Sequence, residues 1–242
     1  MRMKKLILGL VCTAMMVSVA PARSAGLEYT LTPYLWGNGL DGTMALGDVT
    51  ADFDVGFSDL LDNLEIAVPI HFEAKGPVWT LIAEINYVGI GQDLAQLEGT
   101  ADIDMLMFDF LSGWQWRPNV ELIFGARYVD MDVKLDFTLP PLGAETIKFD
   151  AGQNWVDPVV GIRYGGQLNR RGNWHSSFRA DVAGFGLGSE LTVNVRLGVG
   201  VDLSYVTSLR FGYHWMDTEY EANGFFYDVL QQGPEIGLSF KF

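Results

Sequence analysis

The sequence has one cysteine, three histidines and far fewer basic than acidic residues, 16 against 30. A single cysteine cannot form an intramolecular disulfide, and scattered histidines without cysteine provide no zinc-ligand set. The formal net charge of −14 argues against nucleic acid as a partner and against docking onto anionic lipid. We therefore expect no nucleic-acid partner, no metal and no cofactor.

Long hydrophobic runs are also scarce, and the longest lies near the start of the chain. Residues 1–5 carry three positive charges, residues 6–20 are uncharged and apolar, and small residues follow up to Ala25. This pattern predicts a secretory signal peptide cleaved after Ala25, with Ala22 as the alternative. The apolar run is shorter than the roughly 20 residues of a spanning helix. Cleavage would leave residues 26–242 as one domain, without Cys12; loss of four basic residues takes the net charge from −14 to −18.

The remaining chain shows strand periodicity and little helical periodicity. From Glu190 to Leu203, apolar side chains such as Leu191 and Val193 alternate without exception with polar residues and glycine. Such a stretch exceeds the usual strand of a soluble sandwich and matches a strand that crosses a bilayer at a tilt. The alternation predicts one face toward lipid and one toward the lumen of a barrel.

Nine other stretches share this period, roughly 27–37, 65–75, 78–90, 102–116, 120–135, 153–167, 174–186, 207–220 and 227–242. We predict an all-β fold, a transmembrane antiparallel up-and-down β-barrel of about ten strands. Eight or twelve strands are the alternatives, because residues 42–57 could themselves form a hairpin. Short turns alternate with longer, more acidic connections, which places both chain ends on the periplasmic side.

One segment departs from the pattern. Ser58 is a suitable N-cap, an acid follows it, and the leucines up to Leu64 have helical spacing. We predict a short helix over residues 58–64, either in the lumen or exposed in a loop.

Aromatic residues and the C-terminus fit the same interpretation. Tryptophan and tyrosine cluster near strand ends, mostly on the predicted lipid face, as interfacial girdles require; they are Tyr29, Tyr34, Trp36, Trp79, Tyr87, Trp114, Trp116, Tyr128, Trp174, Tyr213 and Trp215. The final strand alternates and ends with Phe240 and Phe242. This ending resembles the signal by which outer-membrane barrels are recognised for assembly.

Several segments together, 29–36, 40–43, 57–64, 71–74 and 233–242, resemble a widespread family of small, mostly uncharacterised Gram-negative outer-membrane β-barrel proteins. The resemblance spans nearly all of residues 26–242 and implies a barrel in the cell outer membrane, but it brings no active site. It implies outer-membrane lipid and lipopolysaccharide as surroundings. The barrel assembly machinery and periplasmic chaperones would be partners during biogenesis.

The inward face predicted by the alternation carries many charges. We expect a lumen-lining network of His71, Glu73, Glu84, Asp109, Arg127, Asp157, Arg163, Arg179, Asp181, Arg196, Asp202, Arg210 and His214. Arginine pairs well with carboxylates, so cross-strand ion pairs are the natural arrangement. Two hypotheses follow, a narrow porin-like channel for small hydrophilic solutes and a closed barrel with a structural or surface-interaction role.

A lipid-modifying enzyme or protease is a third, weaker hypothesis. Catalysis in outer-membrane barrels needs His, Ser or Asp within reach of one another. His214 and Asp217 are three residues apart, which places them on opposite faces of a regular strand. We predict that the chain is not an enzyme.

Overall fold

The structure is a computed structural model that describes residues 26–47, 49–56, 64–94, 99–138 and 146–242. Within these residues all helix or strand structure is strand: β1 (Glu28–Trp36), β2 (Gly39–Leu46), β3 (Val49–Val55), β4 (Leu64–Ala67), β5 (Ile70–Lys75), β6 (Trp79–Leu94), β7 (Gly99–Arg117), β8 (Val120–Thr138), β9 (Thr146–Gln167), β10 (Trp174–Gly184), β11 (Leu191–Asp202), β12 (Thr207–Ala222) and β13 (Phe225–Lys241). The described part of the chain contains no helix long and apolar enough to cross a membrane.

The strands close into an antiparallel barrel whose wall is ten strands around, which confirms the predicted fold and strand number. Thirteen strands make ten because β1 with β2 and β4 with β5 each occupy one place in the wall, and β3 lies outside it. β1 pairs with β13 on one side and β5 on the other, and this closes the sheet. β1 and β2 pair with successive parts of β13, and β4 and β5 pair with successive parts of β6. Residues 39–55 do form a hairpin, but its second strand, β3, pairs with β2 alone among the described strands and adds nothing to the closed wall.

The break between β1 and β2 has a local cause in β13. Gly37 N–H donates to the carbonyl of Pro234 at 2.8 Å. In a strand, the N–H and carbonyl of one residue point to the same neighbour, and proline has no N–H to donate. Continuous pairing therefore stops opposite Pro234, and the chain bends at Gly37 and Asn38 before pairing resumes at Gly39.

The two ends of the barrel differ in height. The short turns, Gly26 and Phe242 lie at one end, which we call the turn end; the opposite end is the loop end. β10 and β11 have only 11 and 12 residues, whereas β8 and β9 have 19 and 22. β9 pairs with β10 only over residues 159–167, so its loop-end half pairs with β8 alone among the described strands.

Two predictions fall on residues outside the described ranges. The signal peptide over residues 1–25 lies wholly there and stays a prediction. Of the predicted helix over 58–64, only Leu64 is described, and it begins strand β4.

The outer surface of the barrel carries a belt of exposed apolar side chains. On β11 the predicted faces are correct, because Leu191 and Leu197 are exposed while Thr192 and Asn194 are buried. Tryptophans crowd the turn end of the belt, where Trp79, Trp114, Trp116 and Trp174 are all exposed. Tyr34 and Trp36, grouped with the girdle by sequence, instead lie on the inward face, where Trp36 stacks on buried His214.

Candidate functional site in the lumen

The thirteen residues predicted to line the lumen all lie on the inward face of the wall. Alternation fixes this placement: on β8, for example, Glu121 and Arg127 are buried while Phe124 is exposed. They do not form one uniform lining, however. On β8, followed from the turn end, the inward face passes from Glu121 at the cavity, through buried Ile123, to the ion-paired Arg127 and then to the apolar Val129 and Met131.

Buried ion pairs cross the middle of the barrel, and we call Glu84, Asp109, Arg127, Arg179 and Asp181 the ionic layer. Arg127 donates to both carboxylate oxygens of Asp109, Nε to Oδ1 at 2.7 Å and Nη2 to Oδ2 at 3.0 Å. Arg179 donates to Asp181 at 2.6 Å and to Asp109 at 2.8 Å. Basic and acidic groups therefore alternate across the lumen from four strands, β6, β7, β8 and β10.

These charges are almost fully removed from water. Arg127 is 2% exposed and Asp109 is 3% exposed. Burial of charges is costly unless each is paired and hydrogen-bonded. The bidentate Arg127–Asp109 pair offsets much of that cost, although Arg127 Nη1 has no hydrogen-bond partner among the described residues. Loss of one partner would leave an uncompensated charge in a dry environment.

A second group of contacts extends the ionic layer toward β1, β5 and β11. Arg196 Nη1 lies 2.6 Å from Glu84, and the Tyr34 hydroxyl donates to the same carboxylate at 2.5 Å. His71 Nδ1 also contacts Glu84, at 3.2 Å. Glu84 thus joins the ionic layer to the strands that close the barrel.

His214 is fully buried between three neighbours. Its Nε2 contacts Asn194 Oδ1 at 2.6 Å, and its ring stacks on Trp36 with centroids 3.9 Å apart. Its Nδ1 lies 3.0 Å from Glu235, although this contact is not aligned as a hydrogen bond. As the spacing predicted, Asp217 is on the opposite, exposed face of β12.

Above the ionic layer, the loop-end half of the lumen is filled with apolar side chains, which we call the apolar layer. Its buried members come from β7, β8, β9, β12 and β13: Met107, Val129, Met131, Val133, Trp155, Met216, Tyr220, Phe225, Tyr227 and Val229. The Trp155 and Tyr220 rings stack 4.0 Å apart, from β9 to β12. At this height the short β10 and β11 no longer pair with these two strands, which remain paired with β8 and β13. This layer was not predicted from sequence.

The short β10–β11 hairpin is fastened to the wall by Asp157. This buried carboxylate accepts from the Ser189 backbone N–H at 2.7 Å and from its hydroxyl at 2.8 Å. Trp155 Nε1 approaches the same carboxylate at 3.2 Å. Asp157 thus acts as a local anchor rather than as part of the ionic layer.

Below the ionic layer lies a polar cavity of about 740 Å³, which we call the chamber. Four inward glycines line it: Gly165, Gly198, Gly212 and Gly237. Of these four, Gly165 alone has open space for a side chain, because an added Cβ at each of the other three would lie 3.0 Å or less from a neighbouring atom. Arg163 pairs with Glu73 at 2.7 Å and with Glu121 at 3.5 Å, while Asp202 accepts from the Ser208 hydroxyl at 2.5 Å. Exposed Lys75 and Asn119 stand on its rim, so the chamber opens at the turn end.

No family model and no curated protein matches the chain, so the resemblance to a barrel family stays a prediction. Among solved structures, the chain is similar to the attachment invasion locus protein Ail of Yersinia pestis, with 9% identity, TM-score 0.42, and 90% of this chain and 100% of Ail covered.

Two further similar structures are the translocator domain of the autotransporter NalP from Neisseria meningitidis and the outer membrane protease OmpT from Escherichia coli. NalP gives 10% identity and TM-score 0.46, with 99% of this chain and 96% of that chain covered. OmpT gives 9% identity and TM-score 0.43, with 92% and 100% covered. At these values the similarities carry no statement about activity.

Some residues of the site were missed by sequence reasoning. Glu235 approaches both Arg196 and His214, yet it is absent from the predicted lumen-lining network and enters only through the segment 233–242 of the family resemblance. Alternation in β13 was sufficient to find it, because Glu235 shares the inward face with Gly237 and Ser239. The same signal was available for Tyr34, which shares its face of β1 with buried Thr30 and Thr32, whereas Leu35 on the opposite face is exposed.

Proposed function

We propose that this protein is an integral outer-membrane barrel with a closed lumen, serving the envelope as a structural or surface-interaction element rather than as a pore. The observation that carries the proposal is the succession of two filled layers. The ionic layer consists of side chains at most 7% exposed, and the apolar layer beyond it is equally buried. Between the described strands, water and hydrophilic solutes therefore have no continuous polar path through both layers.

The exposed surface supports a membrane location. Phe110, Phe124, Val160 and Leu197 lie on four different strands and are all about half exposed. A water-soluble monomer rarely exposes apolar patches larger than a few hundred Å². A band around the whole barrel, with tryptophans at one edge, is the surface expected of a protein surrounded by lipid.

The narrow channel remains the second candidate, and the chamber is the observation that favours it. The chamber is polar and reaches from the turn end up to Arg179 and Arg196. Conduction would need both layers above it to rearrange. Since the ionic layer is held by several short contacts from different strands, we favour the closed barrel.

The proposal is tested by single-channel current in planar bilayers, using protein purified from membranes of a Gram-negative host. Heat-modifiable migration first establishes that the barrel is folded, and a general porin in the same bilayer shows that pores are detected. We expect no discrete current steps. Steps whose amplitude changes in Arg196→Ala would contradict the closed lumen and establish a charge-lined channel.

Absence of catalysis is part of the proposal. His71 and His214 are engaged with Glu84 and Glu235, and Arg196 bridges these two carboxylates. An arrangement in which both histidines contact carboxylates and arginine fills the space between them supports a structural role. Envelope lipids should be unchanged when both histidines are replaced; altered acylation products would revive the enzyme hypothesis.

A further inference from the structure

Arg210 differs from the other arginines of the lumen. Arg127, Arg163, Arg179 and Arg196 each contact at least one carboxylate. Arg210 lines the chamber, yet it forms no ion pair with any described residue, and its buried Nε has no hydrogen-bond partner. A guanidinium without a counter-charge in a partly dry cavity is an arrangement that needs an explanation.

The acids whose charges act on Arg210 are already engaged elsewhere. The charged groups that act on it from a distance are Glu73, Asp202 and Arg163. Glu73 is bound by Arg163 at 2.7 Å and approached by His71 at 3.5 Å. Asp202 accepts a hydrogen bond from Ser208 and lies 3.9 Å from His175. Neither carboxylate compensates Arg210 directly.

The two residues paired with Arg210, Gly200 on β11 and Gly237 on β13, have no side chain of their own. The space at Gly237 is taken up by Thr32 and Tyr34. The His175 ring occupies the space over Gly200, where an added Cβ would lie only 2.1 Å from Nε2. An added Cβ on Gly165, across the chamber, would meet only one backbone oxygen at 3.9 Å. The open part of the chamber therefore lies at Gly165, in the same cavity that Arg210 lines.

We propose that the chamber is a binding site for a small anionic solute, held through a carboxylate or phosphate group by Arg210. The planar guanidinium presents several donors in a fork that matches either group. His175 stands beside it, and Arg163 lies within electrostatic range. A cavity of about 740 Å³ has the size of a small-molecule site. The inference goes beyond the proposed function and holds whether or not the lumen is closed.

Isothermal titration calorimetry on the protein purified from membranes in a non-ionic detergent tests the site. Inorganic phosphate and succinate are the two probes, and their comparison tells which anionic group is preferred. We expect saturable binding of at least one probe by the wild-type protein. Arg210→Gln should weaken it by about tenfold or more, because one charge-assisted bidentate contact is lost. Arg170→Gln, which removes an exposed charge from a turn, should leave binding unchanged.

A second variant blocks the chamber without altering Arg210. Gly165→Leu introduces a side chain into open space, so folding should be preserved and binding should fall. Absence of saturable binding of both probes would overturn the proposal, as would unchanged affinity in either Arg210→Gln or Gly165→Leu. If Arg210→Gln fails to fold, Gly165→Leu alone decides the outcome. Conductance measurements do not enter this test, so the site and the closed lumen fail independently.

Discussion

The turn-end and loop-end halves of the barrel follow opposite rules of polarity. On β12 the turn-end half directs Phe211 outward and Arg210 inward, whereas the loop-end half directs Glu219 outward and buries Tyr220. β8 shows the same reversal, from exposed Phe124 near the turn end to buried Met131 toward the loop end. Side chains keep alternating between the two faces where the polarity of the faces reverses. We therefore infer that the medium outside the barrel differs, with lipid around the turn-end half and water around the loop-end half.

This difference shows how one continuous sheet can contain two kinds of interior. Where lipid covers the outside, the inward face holds polar groups, glycines and a cavity. Where water covers the outside, the inward face packs as an ordinary hydrophobic core. The ionic layer lies at the junction between them. The comparison predicts that the same kind of substitution has different consequences in the two halves.

The largest effect is expected at the junction. Arg127→Ala should lower the free energy of unfolding by about 3–5 kcal/mol, because Asp109 and Asp181 would be left buried without this partner. Urea unfolding in detergent micelles, followed by heat-modifiable migration, measures the loss. Arg117→Ala is the matched control, since this exposed side chain lies over the Trp116 ring and forms no ion pair with a described residue; its loss should cost about 1 kcal/mol or less. Equal losses in the two variants would show that the ionic layer is not stabilising the barrel.

Much of this organisation could be predicted from sequence, and the reason is the strictness of alternation. Ten strands and the inward placement of residues such as Arg127 follow from period two alone. The apolar layer could not be predicted, because the rule that apolar residues face lipid was applied along whole strands. Met131 and Val133 alternate with Asp130, Asp132 and Lys134, and only the position of the membrane edge tells which set faces inward. Pairing partners such as Arg127 with Asp109 depend on register, which the sequence does not state.

A somewhat smaller effect is expected in the apolar layer. Met131→Ala should reduce stability by about 2–4 kcal/mol, since it opens a cavity in a packed core where this side chain is 2% exposed. Leu203→Ala, at an exposed turn residue, is the control and should change stability by about 0.5 kcal/mol or less. The same urea titration serves both. If Met131→Ala behaved like its control, the loop-end half would be a loosely packed or wet interior, and the closed-lumen proposal would lose its second layer.

The smallest effect is expected in the chamber. Arg210→Gln removes a charge that has no ion-pair partner among the described residues, so no opposite charge is left uncompensated. We expect stability to change by about 0.5 kcal/mol or less, or to increase. Measured without added phosphate or carboxylate, a loss as large as that of Arg127→Ala would mean that Arg210 is a structural member of the ionic network. A neutral result would set Arg210 apart from the other lumenal arginines, because a cation that contributes nothing to stability, in a cavity that has open space at Gly165, is best explained by an external anion.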